Sequence, residues 1–143
     1  MRVVVDANTV LSGLFFAGNE RRLLVASLRG DVTLLYAEDV VDQVYEVIER
    51  IFQDHPDLSE ALRRLESILT AGGLVARSTY AEKIPMWSRR LRDPEDAPVL
   101  ACAAAVQADG VVTGDRDILE LAERDDIPVY RTRELLDLLS LQP

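Results

Sequence analysis

Several acidic residues of this 143-residue chain stand just past apolar runs, where a carboxylate is free to do chemistry. Asp6 closes RVVVDAN, Asp115 and Asp117 close GVVTGDRD, and Asp93 and Asp96 lie in RDPEDAP. In a parallel α/β sheet the carboxyl ends of the strands and the helix starts beside them share one edge, so side chains remote in sequence can meet there. Carboxylates gathered without counter-charges repel. A hard divalent cation is the usual remedy, because Mg²⁺ or Mn²⁺ takes oxygen ligands and leaves water positions open. One or two such ions held among these aspartates suit the activation of a water for hydrolysis. His55 is the only histidine. The base would therefore be metal-bound hydroxide or a carboxylate, and neither a histidine-rich zinc site nor a histidine acid/base pair is expected.

The elements that must position these residues alternate along the chain. Candidate strands are Arg2 to Val5, Val32 to Tyr36, Leu74 to Arg77, Val111 to Thr113 and Pro128 to Tyr130, each short and nearly continuous in apolar residues, as suits strands covered on both faces. Between them lie helical patterns. Asn19 reads as the cap of a helix that stops at Gly30, and Glu38 to Phe52 carries a buried stripe of Val40, Val41, Val44, Val47, Ile48 and Ile51. Asp57 or Ser59 would cap a third helix running to Gly72-Gly73, and a fourth runs from about Glu95 to Gln107. Asp117 would cap Ile118 to Arg124, and Thr132 would cap Arg133 to Leu139. The segment around Lys83 and Pro85 reads as irregular. No repeat or linker divides the chain, so one three-layer α/β domain over residues 1–143 is expected, with the first and fourth strands side by side at the centre.

Composition bounds the function. With 25 Asp+Glu against 16 Lys+Arg the net charge is −9, which disfavours broad electrostatic adhesion to nucleic acid or membrane but leaves room for a local basic strip. The single cysteine, Cys102, lies in an apolar run and supports no disulfide, which suggests a reducing, cytoplasmic setting; no run reaches membrane-spanning length. Arginine supplies all but one of the cations, and Arg89, Arg90 and Arg92 in SRRLR, together with Arg116, are candidates for gripping phosphates. Each residue also has a plainer reading. Asp6, Asp93 and Asp117 suit turns or helix caps, Asp42 and Glu46 suit a solvated helix face, Asn8 and Thr113 suit backbone satisfaction, and Arg on an exposed helix is ordinary. Met86 and Trp87 suit packing at a helix edge or a dimer surface.

VVVDANTVLSGLF at the start, RDPEDAPVLACAAAVQADGVVTGDRDIL later, and a closing short strand and helix resemble the PIN domain, in particular its prokaryotic toxin-like (VapC-like) branch. The resemblance covers nearly the whole chain. It implies a five-stranded parallel sheet of order 3-2-1-4-5, a metal-dependent ribonuclease and often a homodimer. It also implies the toxin of a type II toxin-antitoxin pair, with RNA as substrate and an antitoxin as partner. By the same resemblance Asp6, Asp96 and Asp115 are metal ligands, Asn8, Thr113 and Asp117 support them, and Asp93 matches an acid often found three residues before the central one. The family usually carries a glutamate in the helix after the second strand. Here Gln43 falls on that position, with Asp42 beside it and Glu46 one turn on as substitutes.

Two other readings are open. One is a PIN-like module that has lost catalysis and binds RNA or a protein partner, for which Gln43 is the argument. The other is a phosphotransfer fold, which also places an Asp after the first strand but normally needs a lysine near later strand ends. The only lysine, Lys83, is not so placed.

Overall fold

Five short strands form one parallel sheet in the order β3-β2-β1-β4-β5: β1 (Arg2–Val5), β2 (Thr33–Ala37), β3 (Gly73–Val75), β4 (Gly110–Val112) and β5 (Val129–Tyr130). The structure, a computed structural model, describes residues 1–124 and 127–140. Parallel neighbours require crossovers, and helices supply them. The expected order and three-layer class are therefore those observed, with β1 and β4 paired at the centre. Val3, Val4, Val5, Val111 and Val112 are fully buried, as strands covered on both faces must be.

Helices α1 (Ala7–Phe15) and α2 (Asn19–Leu28) join β1 to β2; α3 (Glu38–Ile51) and α4 (Leu58–Ala71) join β2 to β3. The return to β4 passes through α5 (Arg77–Tyr80), a 3₁₀ turn at Ala81–Lys83, α6 (Ile84–Ser88), a second 3₁₀ turn at Pro94–Asp96, and α7 (Ala97–Val106). After β4 come α8 (Arg116–Arg124), β5 and α9 (Thr132–Ser140). Helices α1, α2 and α4 pack together with α9 against α2, while α7 lies along β1, β2 and β4 with α5 and α6 against it.

Several local readings are corrected. Helix α1 was not expected, since ANTVLSGLF lacks a polar face; seven of its nine residues are buried, so no amphipathic period exists to be read. Gly18, not Asn19, occupies the cap of α2. The third strand ends at Val75, and Arg77 opens α5 instead of closing the strand. The supposedly irregular segment is a series of short helical turns whose Tyr80 and Trp87 are buried, Trp87 as packing and Met86 exposed beside it. Pro98 is accommodated because the helix proper starts at Ala97, which puts the proline in its first turn where no N–H is needed. Asp115, not Asp117, caps α8: its Oδ1 accepts from the Ile118 N–H at 3.0 Å. At α9, Thr132 is the first helical residue and is buried, while Glu134 Oε1 reaches back to the Arg131 N–H at 3.0 Å.

Among the described residues no helix is long and apolar enough to cross a membrane.

Candidate functional site

The register of the two central strands builds the site. Val5 pairs with Val112, so the next residues, Asp6 and Thr113, face each other where both strands end. The Thr113 hydroxyl donates to Asp6 Oδ2 across 107 residues of sequence. The same hydroxyl accepts from the Asp115 N–H at 3.0 Å, which fixes the turn carrying Asp115. Asp6 Oδ1 accepts from the Thr9 N–H at 2.9 Å, so Asp6 caps α1 as well as holding the strand end. The plain and the chemical readings of Asp6 and Thr113 thus apply to the same atoms. Both residues are buried, Asp6 at 6% exposure and Thr113 at 0%.

From the other side comes the turn before α7. Asp93 Oδ1 accepts from the Glu95 N–H at 3.0 Å and caps the 3₁₀ turn, and Asp96 follows at the start of α7. Asp96 has no hydrogen-bond donor or cation on its carboxylate among the described residues. Its acidity shows what surrounds it: burial, and then the carboxylates of Asp115, Asp93, Asp6 and Asp117, push its pKa up to about 7. Two clefts open around Asp115 and Arg116. One, of about 410 Å³, is lined by Asp6, Asn8, Thr9, Ser12, Glu20 and Gly114 besides these two. The other, of about 400 Å³, adds Arg92, Asp93, Asp96, Asp117 and Glu120.

Whether these residues suit a cation is answered by charge and by spacing. Asp96 is an uncompensated carboxylate among four others, the donor set of a hard ion. Among the described residues, however, no three His, Cys, Asp or Glu side chains are drawn in close enough to form a ready-made cage. The chemistry of the donors fits, and they line the two clefts without forming such a cage.

Comparison with known proteins agrees with this architecture. Residues 2–117 match the PIN domain family. The chain belongs to the PIN domain family. Its members are generally nucleases. Three solved structures share the fold: VapBC2 from Rickettsia felis bound to a DNA fragment from their promoter, PAE2754 from Pyrobaculum aerophilum and FitAcB from Neisseria gonorrhoeae. VapBC2 is 11% identical, with a TM-score of 0.64 over 92% of this chain and 98% of that one. PAE2754 is 16% identical, with a TM-score of 0.71 over 99% and 91%, and FitAcB is 19% identical, with 0.62 over 93% and 99%. No curated protein matches the sequence.

This PIN domain departs from the sequence-based picture in three places. Gln43, Asp42 and Glu46 line neither cleft; with Asp39, Arg77, Pro94, Glu95 and Pro98 they line another groove of about 480 Å³, against the same turn that carries Asp93 and Asp96. In that groove Asp39 is tied down, accepting from Arg77 and from the Tyr80 hydroxyl at 2.8 Å while its N–H donates to the same hydroxyl at 3.0 Å. Second, Glu20 stands in the cleft beside Asp6 and Asn8. Nothing in the sequence marks it, because an acid in the first turn of a helix is ordinary dipole compensation.

Third, the arginines differ in how far they are committed. Arg92 is bound to Asp117, through its backbone N–H at 3.1 Å and its Nε at 3.5 Å. Arg90 lies over the Trp87 ring, 5.1 Å from its centre. Arg89 is exposed. Arg116 is exposed at the divide between the clefts and makes no hydrogen bond or ion pair among the described residues, although Asp115 and Asp117 flank it in sequence.

Proposed function

We propose that this protein is a Mg²⁺- or Mn²⁺-dependent endoribonuclease and the toxin of a toxin-antitoxin pair. The observation that carries the reading is the bare carboxylate of Asp96, half-buried among four other aspartates and relieved by no cation among the described residues. Asp6, Asp96 and Asp115 would hold the metal. When bound, it would supply charge neutralisation and a water of lowered pKa for attack on phosphorus. The chain does the rest by placement. Thr113 aims Asp6 and fixes the turn of Asp115 through one hydroxyl, and Asn8 and Glu20 add polar groups on the α1–α2 side. Asp117 positions the segment before Asp93 by holding the Arg92 backbone, and Asp93 shapes the turn that presents Asp96. Arg116 is free to take a phosphate bidentately beside the carboxylates, with Arg89, Arg90 and Arg92 lending positive charge along the approach.

An antitoxin partner would cover the two acidic clefts, and exposed Phe16, Ile51, Tyr45 and Leu74 offer apolar surface for a homodimer. The lone buried Cys102 suits action in the cytoplasm.

The test is cleavage of structured and unstructured RNA with Mg²⁺ or Mn²⁺, alongside calorimetric titration of Mn²⁺ into wild type, Asp6→Asn and Asp96→Asn. The reading requires metal-dependent cleavage and metal binding that both variants lose. A second reading, a non-catalytic module that binds RNA or protein, rests on Gln43, which brings an amide where the family brings a carboxylate. RNA bound but never cut, with Mn²⁺ heat absent, would establish that alternative.

A further inference from the structure

We infer that Gly114 is the aperture of the substrate cleft: its missing side chain leaves the passage through which a nucleic-acid backbone reaches Asp6 and Asp115. The inference rests on the proposed nuclease reading and deepens it by naming a positioning residue that catalytic chemistry alone would not single out.

The argument comes from asking why each of the seven glycines is a glycine. Four are closely packed, Gly13, Gly72 and Gly110 against main-chain atoms as well as side chains and Gly73 against the end of one leucine. A Cβ would lie 2.5 Å from Leu24 Cδ1 at Gly13, 2.3 Å from the Leu34 carbonyl at Gly72, 2.9 Å from Leu35 Cδ2 at Gly73 and 2.7 Å from the Tyr130 ring at Gly110. Two are required by backbone, with φ of 157° at Gly18 and 84° at Gly30. Gly114 is required by neither. It has no positive φ, and a Cβ built there meets nothing within 4 Å. A glycine in such a place weakens the fold slightly by enlarging the freedom of the unfolded chain, and nothing inside the molecule returns that cost.

What lies around the open space supplies the reason. Gly114 sits between Thr113, which holds Asp6, and Asp115, and it lines the cleft shared by Asp6, Asn8, Ser12, Glu20 and Arg116. Gly114 itself lines that cleft of about 410 Å³, and the space that a side chain would take up there is open. Asp6 is 6% exposed at the end of β1, so a scissile phosphate must come close to the main chain to reach it. A bare turn permits that approach, with Arg116 two residues on to meet the phosphate charge.

The test is a graded series, Gly114→Ala, Gly114→Val and Gly114→Leu, in the full chain. Three quantities are read: thermal midpoint, Mn²⁺ affinity by calorimetry, and anisotropy of a fluorescein-labelled 20-nucleotide single-stranded RNA of random sequence. The expected result is an unchanged or slightly raised midpoint for Ala, unchanged Mn²⁺ affinity throughout, and RNA affinity falling with side-chain size, about tenfold or more for Leu. A glycine needed only for the turn would show the reverse, with stability falling and RNA affinity surviving in the folded fraction. RNA binding and cleavage by Gly114→Leu equal to wild type, while Asp96→Asn abolishes cleavage, overturns the aperture and leaves the nuclease reading in place. Wild-type protein that neither binds nor cleaves RNA overturns both.

Discussion

Replacing Asp96 by Asn should make this protein more stable, and only where the carboxylate would be charged. Burial and the fields of Asp115, Asp93, Asp6 and Asp117 raise its pKa to about 7, against an unfolded value of about 3.9. The folded state therefore holds the proton more tightly. Below about pH 4 the side chain is neutral in both states and costs nothing; between about pH 4 and 7 the unfolded chain gives up the proton while the fold retains it, so the stability present in acid is lost progressively and the loss levels off above about 7. At about 1.4 kcal/mol per tenfold change in proton affinity, the full difference is on the order of 4 kcal/mol. Solvent screening at a half-exposed side chain reduces this to about 1–2 kcal/mol. For a chain of this length that is roughly 4–8 °C in Tm.

The assay is scanning calorimetry of wild type and Asp96→Asn, without divalent ions, from pH 5 to pH 8. The difference in Tm should be small at pH 5, grow through neutrality and level off above it, with the variant the more stable. Adding Mn²⁺ at pH 8 should close the gap by stabilising wild type and leaving the variant unmoved. A difference independent of pH, or a variant less stable at pH 8, refutes the claim that Asp96 faces uncompensated carboxylates. Chelation should reverse the Mn²⁺ effect fully.

Three further outcomes are expected. Thr113→Val removes the hydroxyl shared by Asp6 and the Asp115 N–H; it should cost about 1–3 kcal/mol in urea unfolding and lower Mn²⁺ affinity, while Thr113→Ser restores both. Arg116→Ala should weaken RNA binding and reduce the salt slope of its affinity by about 1, with little change in Tm; Arg92→Ala, already engaged by Asp117, should change the slope less. Tyr80→Phe deletes both hydroxyl contacts with Asp39 and should cost about 1–2 kcal/mol while leaving RNA cleavage intact, because neither Tyr80 nor Asp39 lines an acidic cleft.

The parts of this fold legible in the sequence were those where burial is simple. Strands covered on both faces read as apolar runs, and an Asp or Thr at or within a few residues of the end of such a run lies near the sheet edge, which is why Asp6, Thr113 and Asp115 stand out together. Helix α1 was hidden for the converse reason: buried on nearly every side, it carries no polar stripe to set its period. The turns from Arg77 to Ser88 were hidden because elements of four or five residues have too little local preference and take shape only against α7. Assigning the cap of α8 to Asp117 instead of Asp115 was an error of two residues, within the usual uncertainty of helix starts, yet it changes which carboxylate is tied to a backbone N–H. Glu20 and the separation of Gln43 from the clefts depend on how helices pack, which no local pattern records.

The hydrogen bond from Thr113 to Asp6 also sets a timetable for biosynthesis. A chain that has left the ribosome only as far as α7 already carries Asp6, Asp93 and Asp96, but β1 has no β4 beside it, and neither Thr113 nor Asp115 has emerged. Strands β1, β2 and β3 can pair in that fragment; the acidic pocket cannot exist in it. The pocket is thus completed only when β4 joins the sheet beside β1.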